Sequence, residues 1–414
     1  MSTASALPHV SSLQPVSVKN TSATAPERNV AIGYLRAFIT VLVLAHHAVM
    51  AYCSFVPPPA ASLTTQPHWW SAFPIADSAR FPLFDLLVGF NDAFFMALMF
   101  LLSGLFVWSS FTRKGTGAFL KDRAVRLGLP FAVAAALLAP LAYYPSYLQT
   151  GASGLSGFWE QWSSLGNWPA GPAWFVWILL AFDCIATGIF VLVPKFGEKL
   201  GERLSGISRR PFVFFLALAA ISALTYLPME LKFNAFYWSS FGPFFVQTSR
   251  VLHYFVYFLV GIGLGAYGIN RGLLAADGKL ARRPWLVWSN VAIFAFMANI
   301  VIGITAMRLA GSSRVWEAAA AVTFTFSCAA SSLFFLSVFT KYMQRRRAIW
   351  DSLSANAYGM YLIHYPFSSW LQYALLKMHL PAIAKGSLVF LGTLALSWAV
   401  TAALRQIPAV RKVV

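Results

Sequence analysis

Ten long runs of apolar residues divide this chain, and they constrain its fold more than any other feature. A helix needs roughly 20 predominantly apolar residues to cross a bilayer, and a backbone in lipid must satisfy its own hydrogen bonds, which favours helices. We therefore predict an all-α, polytopic membrane protein with about ten transmembrane helices. The aromatic stretch 233–246 follows the fifth run and leaves open an eleventh element, an interfacial or re-entrant helix. The runs are approximately 31–52, 82–108, 127–148, 173–193, 211–228, 250–269, 285–307, 316–340, 353–376 and 386–404.

Only 11% of the 414 residues are charged and 58% are hydrophobic, whereas a soluble globular chain carries about 25% charged residues. The one sizeable polar segment is 1–29, rich in Ser, Thr, Ala and Pro. We predict that it is a disordered cytoplasmic tail, and not a cleaved signal peptide, because it lacks an apolar core. The composition predicts one transmembrane domain over 30–405 and a short cytoplasmic tail over 406–414.

The formal net charge of +18 would suggest nucleic-acid binding in a soluble protein. With the N-terminus placed in the cytoplasm, 23 of the 31 lysine and arginine residues fall in cytoplasmic segments and seven in outer loops. This is the positive-inside distribution of a membrane protein. It predicts that both termini are cytoplasmic, that the protein lies in the inner membrane, and that its partner is the lipid bilayer and not nucleic acid.

The first run carries two unusual residues, Arg36 and His47. They are eleven positions apart, so they share one helix face about 16 Å apart along the axis. Arg36 either snorkels to the cytoplasmic surface or faces the bundle interior. Histidine titrates near neutral pH, so His47 is a candidate general base. The adjacent His46 points about 100° away and is the alternative.

Other polar residues also fall within the runs. Asp92 is the deepest carboxylate of the second run, and it either pairs with Arg36 or accepts a hydrogen bond from a neighbouring helix. Tyr361 and His364 share a face of the ninth run, and Asp183 lies in the middle of the fourth. The three cysteines are far apart, and we find no metal-ligand spacing, no nucleotide-binding loop and no nucleophile elbow. We therefore expect no metal.

A basic pair, Arg123 and Arg126, has the spacing R-x-x-R, which places both side chains on neighbouring positions of a helix surface. Two guanidinium groups suit phosphate because each donates bidentately. The same charges also fit the ordinary positive-inside pattern. From the residues alone, the chain is a membrane enzyme or a transporter with a polar interior.

These motifs together resemble the acyltransferase 3 family of integral membrane O-acyltransferases, which includes glycan O-acetyltransferases and proteins that succinylate periplasmic glucans. The matching segments run in order from residue 31 to about 367. They are R-x10-H at Arg36 and His47, FFMALMFLLSGLFVW at 94–108 (with Ala97 where the family commonly has Pro), R-x-x-R at Arg123 and Arg126, PAWFVWILLAFD at 172–183, and YGMYLIHYPF at 358–367.

The resemblance implies a membrane-embedded O-acyltransferase that moves an acetyl or succinyl group from cytoplasmic acyl-CoA to a hydroxyl of an extracytoplasmic glycan. The motif selects His47 over His46 as the catalytic residue, which would either deprotonate the acceptor hydroxyl or carry the acyl group. Arg36 would hold the donor or stabilise charge along the channel. Arg123 and Arg126, with the nearby Arg113, would hold the phosphates of acyl-CoA. Asp92, Tyr361 and His364 would be supporting polar residues, which the family motifs do not assign.

Two other functions compete with the enzyme. A transporter or exporter without covalent chemistry predicts inverted repeats and helices broken at matching places in two halves, and neither is visible in the sequence. A structural or accessory subunit gives no reason for Arg36, Asp92 and His47 to incur the cost of membrane burial.

Overall fold

A computed structural model describes residues 29–282, 285–309 and 314–414. The predicted disordered tail lies outside the described residues except for Asn29, whose side chain accepts a hydrogen bond from the first helix. Two π-helical segments, 124–128 and 134–138, form part of one continuous helical stretch over 116–149. The α-helices are α1 (Val30–Val49), α2 (Pro82–Gly104), α3 (Val107–Lys114), α4 (Thr116–Arg123), α5 (Leu129–Val133), α6 (Ala139–Gln149), α7 (Leu155–Ser163), α8 (Trp174–Leu192), α9 (Phe196–Ser208), α10 (Pro211–Phe233), α11 (Val251–Tyr267), α12 (Lys279–Arg282), α13 (Trp285–Arg308), α14 (Arg314–Tyr342), α15 (Ala348–Leu375), α16 (Ala382–Leu404) and α17 (Pro408–Arg411).

The all-α, polytopic architecture predicted from the apolar runs is confirmed. Among the described residues, nine helical stretches have the length and apolar composition of membrane spans, and each coincides with a predicted run. The remaining run corresponds to α15. Its 28 residues extend about 42 Å, which is long enough to cross a bilayer, but its composition is more polar than that of the other nine stretches. Because α15 packs against α1, α6 and α16, we treat it as the tenth transmembrane helix.

The stretch after α10 is not the interfacial or re-entrant helix that the sequence left open. It forms an antiparallel hairpin of two strands, β1 (Trp238–Phe241) and β2 (Phe244–Gln247). Gly242 lies at the turn with a φ of 56°, a backbone conformation that favours glycine. The hairpin docks on the start of α8, where the indole N–H of Trp177 donates to the carbonyl of Phe245 at 2.9 Å.

The helices surround α1, which packs against α2, α14, α15 and α16. On the far side of α2 lies α11, and α13 pairs with α14. The buried interior is mainly aromatic and aliphatic, and it extends through α2, α8, α11 and α14. This arrangement places the C-terminal part of α1 beside the middle of α15, so the polar residues of both helices meet inside the bundle.

A cap of loops covers the end of the bundle where α1 finishes. The guanidinium of Arg80 donates to the carbonyls of Ala51 and Cys53 at 3.1 and 2.9 Å. Lys385, near the start of α16, forms an ion pair with Asp77 at 2.7 Å, and both side chains are buried. These contacts fix the 53–81 loop above the end of α1.

Glycines allow α2 and α11 to approach backbone to backbone. A Cβ atom at Gly261 or Gly265 of α11 would collide with the carbonyl oxygens of Leu101 and Leu105, respectively. Small residues are the usual means of close helix packing in membranes, where no hydrophobic force drives helices together. The two glycines therefore set the distance between α2 and α11.

We predict that Gly261→Ala destabilises the protein, because its methyl group would overlap a backbone carbonyl that has little freedom to move. Overpacking of this kind costs about 1–3 kcal/mol. The measurement is the thermal unfolding midpoint in detergent, with Gly89→Ala on α2 as the matched control, since a Cβ there has no neighbour within 4 Å. Equal midpoints for the two variants would contradict the close-packing role.

Candidate functional site

Two histidines from distant parts of the chain meet where α1 and α15 cross. His47 Nδ1 lies 3.2 Å from His364 Nε2, and the ring centroids are 4.9 Å apart. His364 is fully buried, whereas His47 is half-buried. The structure thus joins the predicted catalytic histidine to one of the predicted supporting residues.

Main-chain carbonyls determine the tautomer of each ring. The carbonyl oxygen of Val43 lies 2.9 Å from His47 Nδ1, and that of Tyr361 lies 2.6 Å from His364 Nδ1. A carbonyl only accepts hydrogen bonds, so we assign the proton to Nδ1 in both neutral rings. His364 Nε2 then accepts from His47 Nδ1–H, which is shared with the Val43 carbonyl. His47 Nε2 carries no proton, which is the state a general base requires.

Aromatic and amide side chains hold the pair in place. Tyr365 packs edge-on against His47 with centroids 5.2 Å apart. The hydroxyl of Tyr361 donates to the carbonyl of Pro172, just before α8. Gln372 donates to the carbonyls of His47 and Ala48 at 2.8 and 3.1 Å. The Tyr365 and Gln372 contacts therefore fix the end of α1 against α15, and the Tyr361 hydrogen bond joins α15 to the segment before α8.

His46, the alternative base, lies on another side of α1. Its ring packs on Phe95 of α2 at 5.1 Å between centroids, and the side chain is buried. The ring centroids of His46 and His47 are 5.2 Å apart. His46 therefore faces the α2 side of the bundle and not α15.

Arg36 is exposed near the other end of α1. Its guanidinium carbon lies 6.0 Å from the ring centroid of Phe106, next to the start of α3. Two interpretations of its environment were open, snorkelling and an interior position. The exposed side chain excludes burial in the protein core.

Asp92 does not pair with Arg36, contrary to one of the two interpretations of the sequence. Its carboxylate forms a bidentate ion pair with Arg250, with N–O distances of 2.8 and 2.7 Å. The Arg250 side chain is 4% exposed, whereas that of Asp92 is 42% exposed. The guanidinium also lies over the ring of Phe324 at 4.6 Å. The charge of Arg36 is therefore not needed to neutralise Asp92.

The three basic residues predicted to hold phosphates have different surroundings. Arg123 Nε lies 3.3 Å from a carboxylate oxygen of Asp183, which is fully buried on α8. Arg126 is exposed and pairs with Asp122, with Nε 3.1 Å from the carboxylate. Arg113, at the end of α3, is exposed. The π-helical segment begins directly after Arg123, so Arg123 and Arg126 do not lie side by side as on a regular α-helix.

Sequence reasoning missed the residues that complete these contacts. Gln372 lies eight positions after His364, a spacing that keeps two residues on one helix face, so it was detectable as a partner. Arg250 was counted as an outer-loop charge, and only its buried ion pair reveals its structural role. Within the described ranges 29–282, 285–309 and 314–414, no group of three His, Cys, Asp or Glu residues is placed to hold a metal ion.

Comparison with known proteins gives one family and several relatives. Residues 29–402 match the family model described as Acyltransferase domain. The chain is 27% identical over 247 residues to the protein named Glucans biosynthesis protein C of Salmonella gallinarum. Proteins of the same name from Salmonella schwarzengrund and Salmonella paratyphi B are 26% identical over 247 residues. These matches cover 58% of this chain and 61% of each relative. No solved structure matches the chain significantly.

We predict that Asp92→Ala destabilises the protein strongly, because it leaves the buried guanidinium of Arg250 unpaired. The expected loss is about 3 kcal/mol, since removing one side of a buried ion pair leaves the other charge uncompensated. A double variant, Asp92→Ala with Arg250→Leu, removes the unpaired charge and should recover part of the loss.

The matched control is Asp122→Ala, which breaks ion pairs that are more exposed to solvent and should cost about 0–1 kcal/mol. Thermal unfolding in detergent compares the variants. If Asp92→Ala and Asp122→Ala unfold at the same temperature, the buried pair does not stabilise the bundle.

Proposed function

This chain belongs to the acyltransferase 3 family, and we propose that it moves an acyl group from cytoplasmic acyl-CoA to a hydroxyl of an extracytoplasmic glycan. Membership makes the protein a multi-pass membrane acyltransferase that uses an acyl donor. The observation that carries the proposal is the His47–His364 pair, which lies at the meeting point of two motifs of the family and leaves a free imidazole nitrogen on His47.

The proposed reaction is direct transfer. His47 Nε2 takes the proton of the acceptor hydroxyl as the hydroxyl oxygen attacks the thioester carbonyl. The new C–O bond forms and the C–S bond breaks, and His47 then returns the proton to the departing thiolate of CoA. His364 Nε2 accepts from His47 Nδ1–H throughout, so it orients the ring and stabilises the imidazolium. This is the positioning task that a carboxylate performs in a Ser-His-Asp triad.

The donor site is proposed at the other end of α1. Arg113 and Arg126 are exposed and offer planar guanidinium donors to the phosphates of acyl-CoA. Arg123 directs its Nε towards Asp183, which leaves its terminal NH2 groups for the same phosphates. Arg36 lies about 16 Å before His47 along the helix axis, so the acyl-bearing arm would pass Arg36 on its way to His47.

The remaining features follow the same proposal. The transmembrane acyltransferase domain is placed over 30–405, between a cytoplasmic tail over 1–29 and a short one over 406–414. The charge distribution supports cytoplasmic termini and an inner-membrane location. A glycan acceptor is supported by the name of the relatives, Glucans biosynthesis protein C. Acetyl and succinyl are the two acyl groups proposed.

We predict that His47→Ala abolishes acyl transfer but retains acyl-CoA binding, because the phosphate contacts lie at the opposite end of α1. The measurement is the binding and hydrolysis of radiolabelled acetyl-CoA, and then succinyl-CoA, by the purified protein in detergent. Loss of a general base lowers the rate by about 10²–10⁴-fold.

His46→Ala is the matched control, since it removes a neighbouring imidazole that faces Phe95. It should retain hydrolysis. Unchanged hydrolysis in His47→Ala would rule out His47 as the general base. Failure of the wild-type protein to bind either acyl-CoA would favour a transporter.

We also predict that His364→Ala lowers kcat without weakening acetyl-CoA binding, because it removes the acceptor that orients His47. The expected loss is about 10–100-fold, the range given for removal of a residue that orients a metal-bound histidine. His364→Gln should be faster than His364→Ala, since an amide oxygen can accept from His47 Nδ1–H. Equal rates for the two variants, with equal thermal stability, would contradict the orienting role.

A further inference from the structure

An apolar groove opens on the side of the bundle, between the 116–149 helix, α15 and the end of the chain. Its volume is about 360 Å³. Its wall is apolar except for Thr401, a buried residue on α16. The lining residues are Leu129, Pro130, Val133, Leu138, Gly359, Leu362, Ile363, Thr401, Leu404, Ala409, Val410, Val413 and Val414.

The shape of the groove depends on the helices around it. The α5 segment that forms one wall lies between the two π-helical segments, and such irregular turns are frequent at functional sites. Gly359 forms part of the floor, where a Cβ would collide with the side chain of Thr401. α15 and α16 therefore pack closely at the base, and the space remains open above them.

Basic residues directly neighbour the lining residues of the groove along the chain. Arg405 follows the lining residue Leu404, and the exposed residues Arg411 and Lys412 lie between the lining residues Val410 and Val413. Arg126 is also exposed, and its carbonyl accepts a hydrogen bond from Tyr358, the neighbour of Gly359. An apolar slot with a cationic rim matches a molecule with an alkyl chain and an anionic head.

We propose that this groove binds an anionic glycerophospholipid, with one acyl chain in the slot and the phosphate beside Arg411 and Lys412. A lining with almost no polar surface excludes a sugar or a nucleotide, because their hydroxyl and phosphate groups would lack partners. The basic rim lies at the end of the bundle predicted to be cytoplasmic, where anionic lipids attract clustered lysine and arginine residues.

The groove adjoins the His47–His364 pair. Leu138 and Leu362 line both the groove and a narrow crevice beside Tyr361 and Tyr365. Ile363, another lining residue, directly precedes His364. A lipid chain in the groove therefore packs against the segment of α15 that positions the catalytic pair. The lipid site itself does not depend on the acyltransferase proposal, since it rests on the groove and its charges.

The test is photo-crosslinking in nanodiscs of phosphatidylcholine and phosphatidylglycerol, in which one lipid at a time carries a diazirine on its acyl chain. The expected result is labelling of the peptides 129–138, 359–363 and 409–414 by phosphatidylglycerol in preference to phosphatidylcholine. Arg411→Gln with Lys412→Gln should reduce this labelling about 30-fold, since two basic contacts with an anionic lipid are lost.

Matched variants separate the groove from the general lipid surface. Val133→Trp fills the groove and should abolish its labelling, whereas Val191→Trp places the same bulk on an exposed position of α8 and should not. Arg209→Gln with Arg210→Gln removes an exposed basic pair elsewhere and should have no effect.

Three results would overturn the proposal. They are equal labelling by the two lipids, labelling spread evenly over the exposed helices, and undiminished groove labelling in Val133→Trp. None of these outcomes depends on hydrolysis of acyl-CoA.

Discussion

A charged group inside a membrane is costly unless it has a partner, and the long-range ion pairs of this chain follow from that constraint. Inside the bundle, Arg250 is buried against Asp92 and Asp183 against Arg123. Lys385 is buried against Asp77 under the cap of loops. Apolar helix surfaces in lipid give little preference for one neighbour over another. Each pair supplies such a preference, because only one arrangement of helices brings the opposite charges together.

The same constraint applies to the histidines. His364 is fully buried, and an unpaired polar ring there would lose the hydrogen bonds that it makes in water. The carbonyl of Tyr361 and the N–H of His47 satisfy both of its nitrogens. His47 uses only Nδ1 in these contacts. The need to satisfy the buried ring thus also fixes which nitrogen of His47 stays outside them, and it is this nitrogen, Nε2, that the proposed reaction uses.

How much of this could be predicted from the sequence depends on the range of each interaction. Apolar length is a local property, and nine of the predicted runs coincide with helices of spanning length and composition among the described residues. The other run is the helix α15, whose polar residues lower its apolar character. The 233–246 stretch was ambiguous because a short apolar run does not reveal its period. The stretch forms a hairpin because it turns at Gly242 and docks on α8.

The site was only partly predictable for a related reason. Motifs and helical spacing pointed to His47, Tyr361 and His364 individually. The contact between His47 and His364 joins residues 317 positions apart, which no local pattern reveals. The environment of Arg123 depends on the π-helical segment 124–128, which no sequence pattern predicted. Spacing rules assume a regular α-helix, so they fail where the helix itself changes its pitch.

The two ends of α1 differ in a way that bears on the direction of transfer. Arg36 is exposed at the end predicted to face the cytoplasm, whereas His47 is half-buried beneath a cap of loops. In the proposed reaction the charged donor approaches from the side of Arg36 and the exposed arginines, and the acceptor approaches from the side of the cap. The 53–81 loop is then the element best placed to select the acceptor.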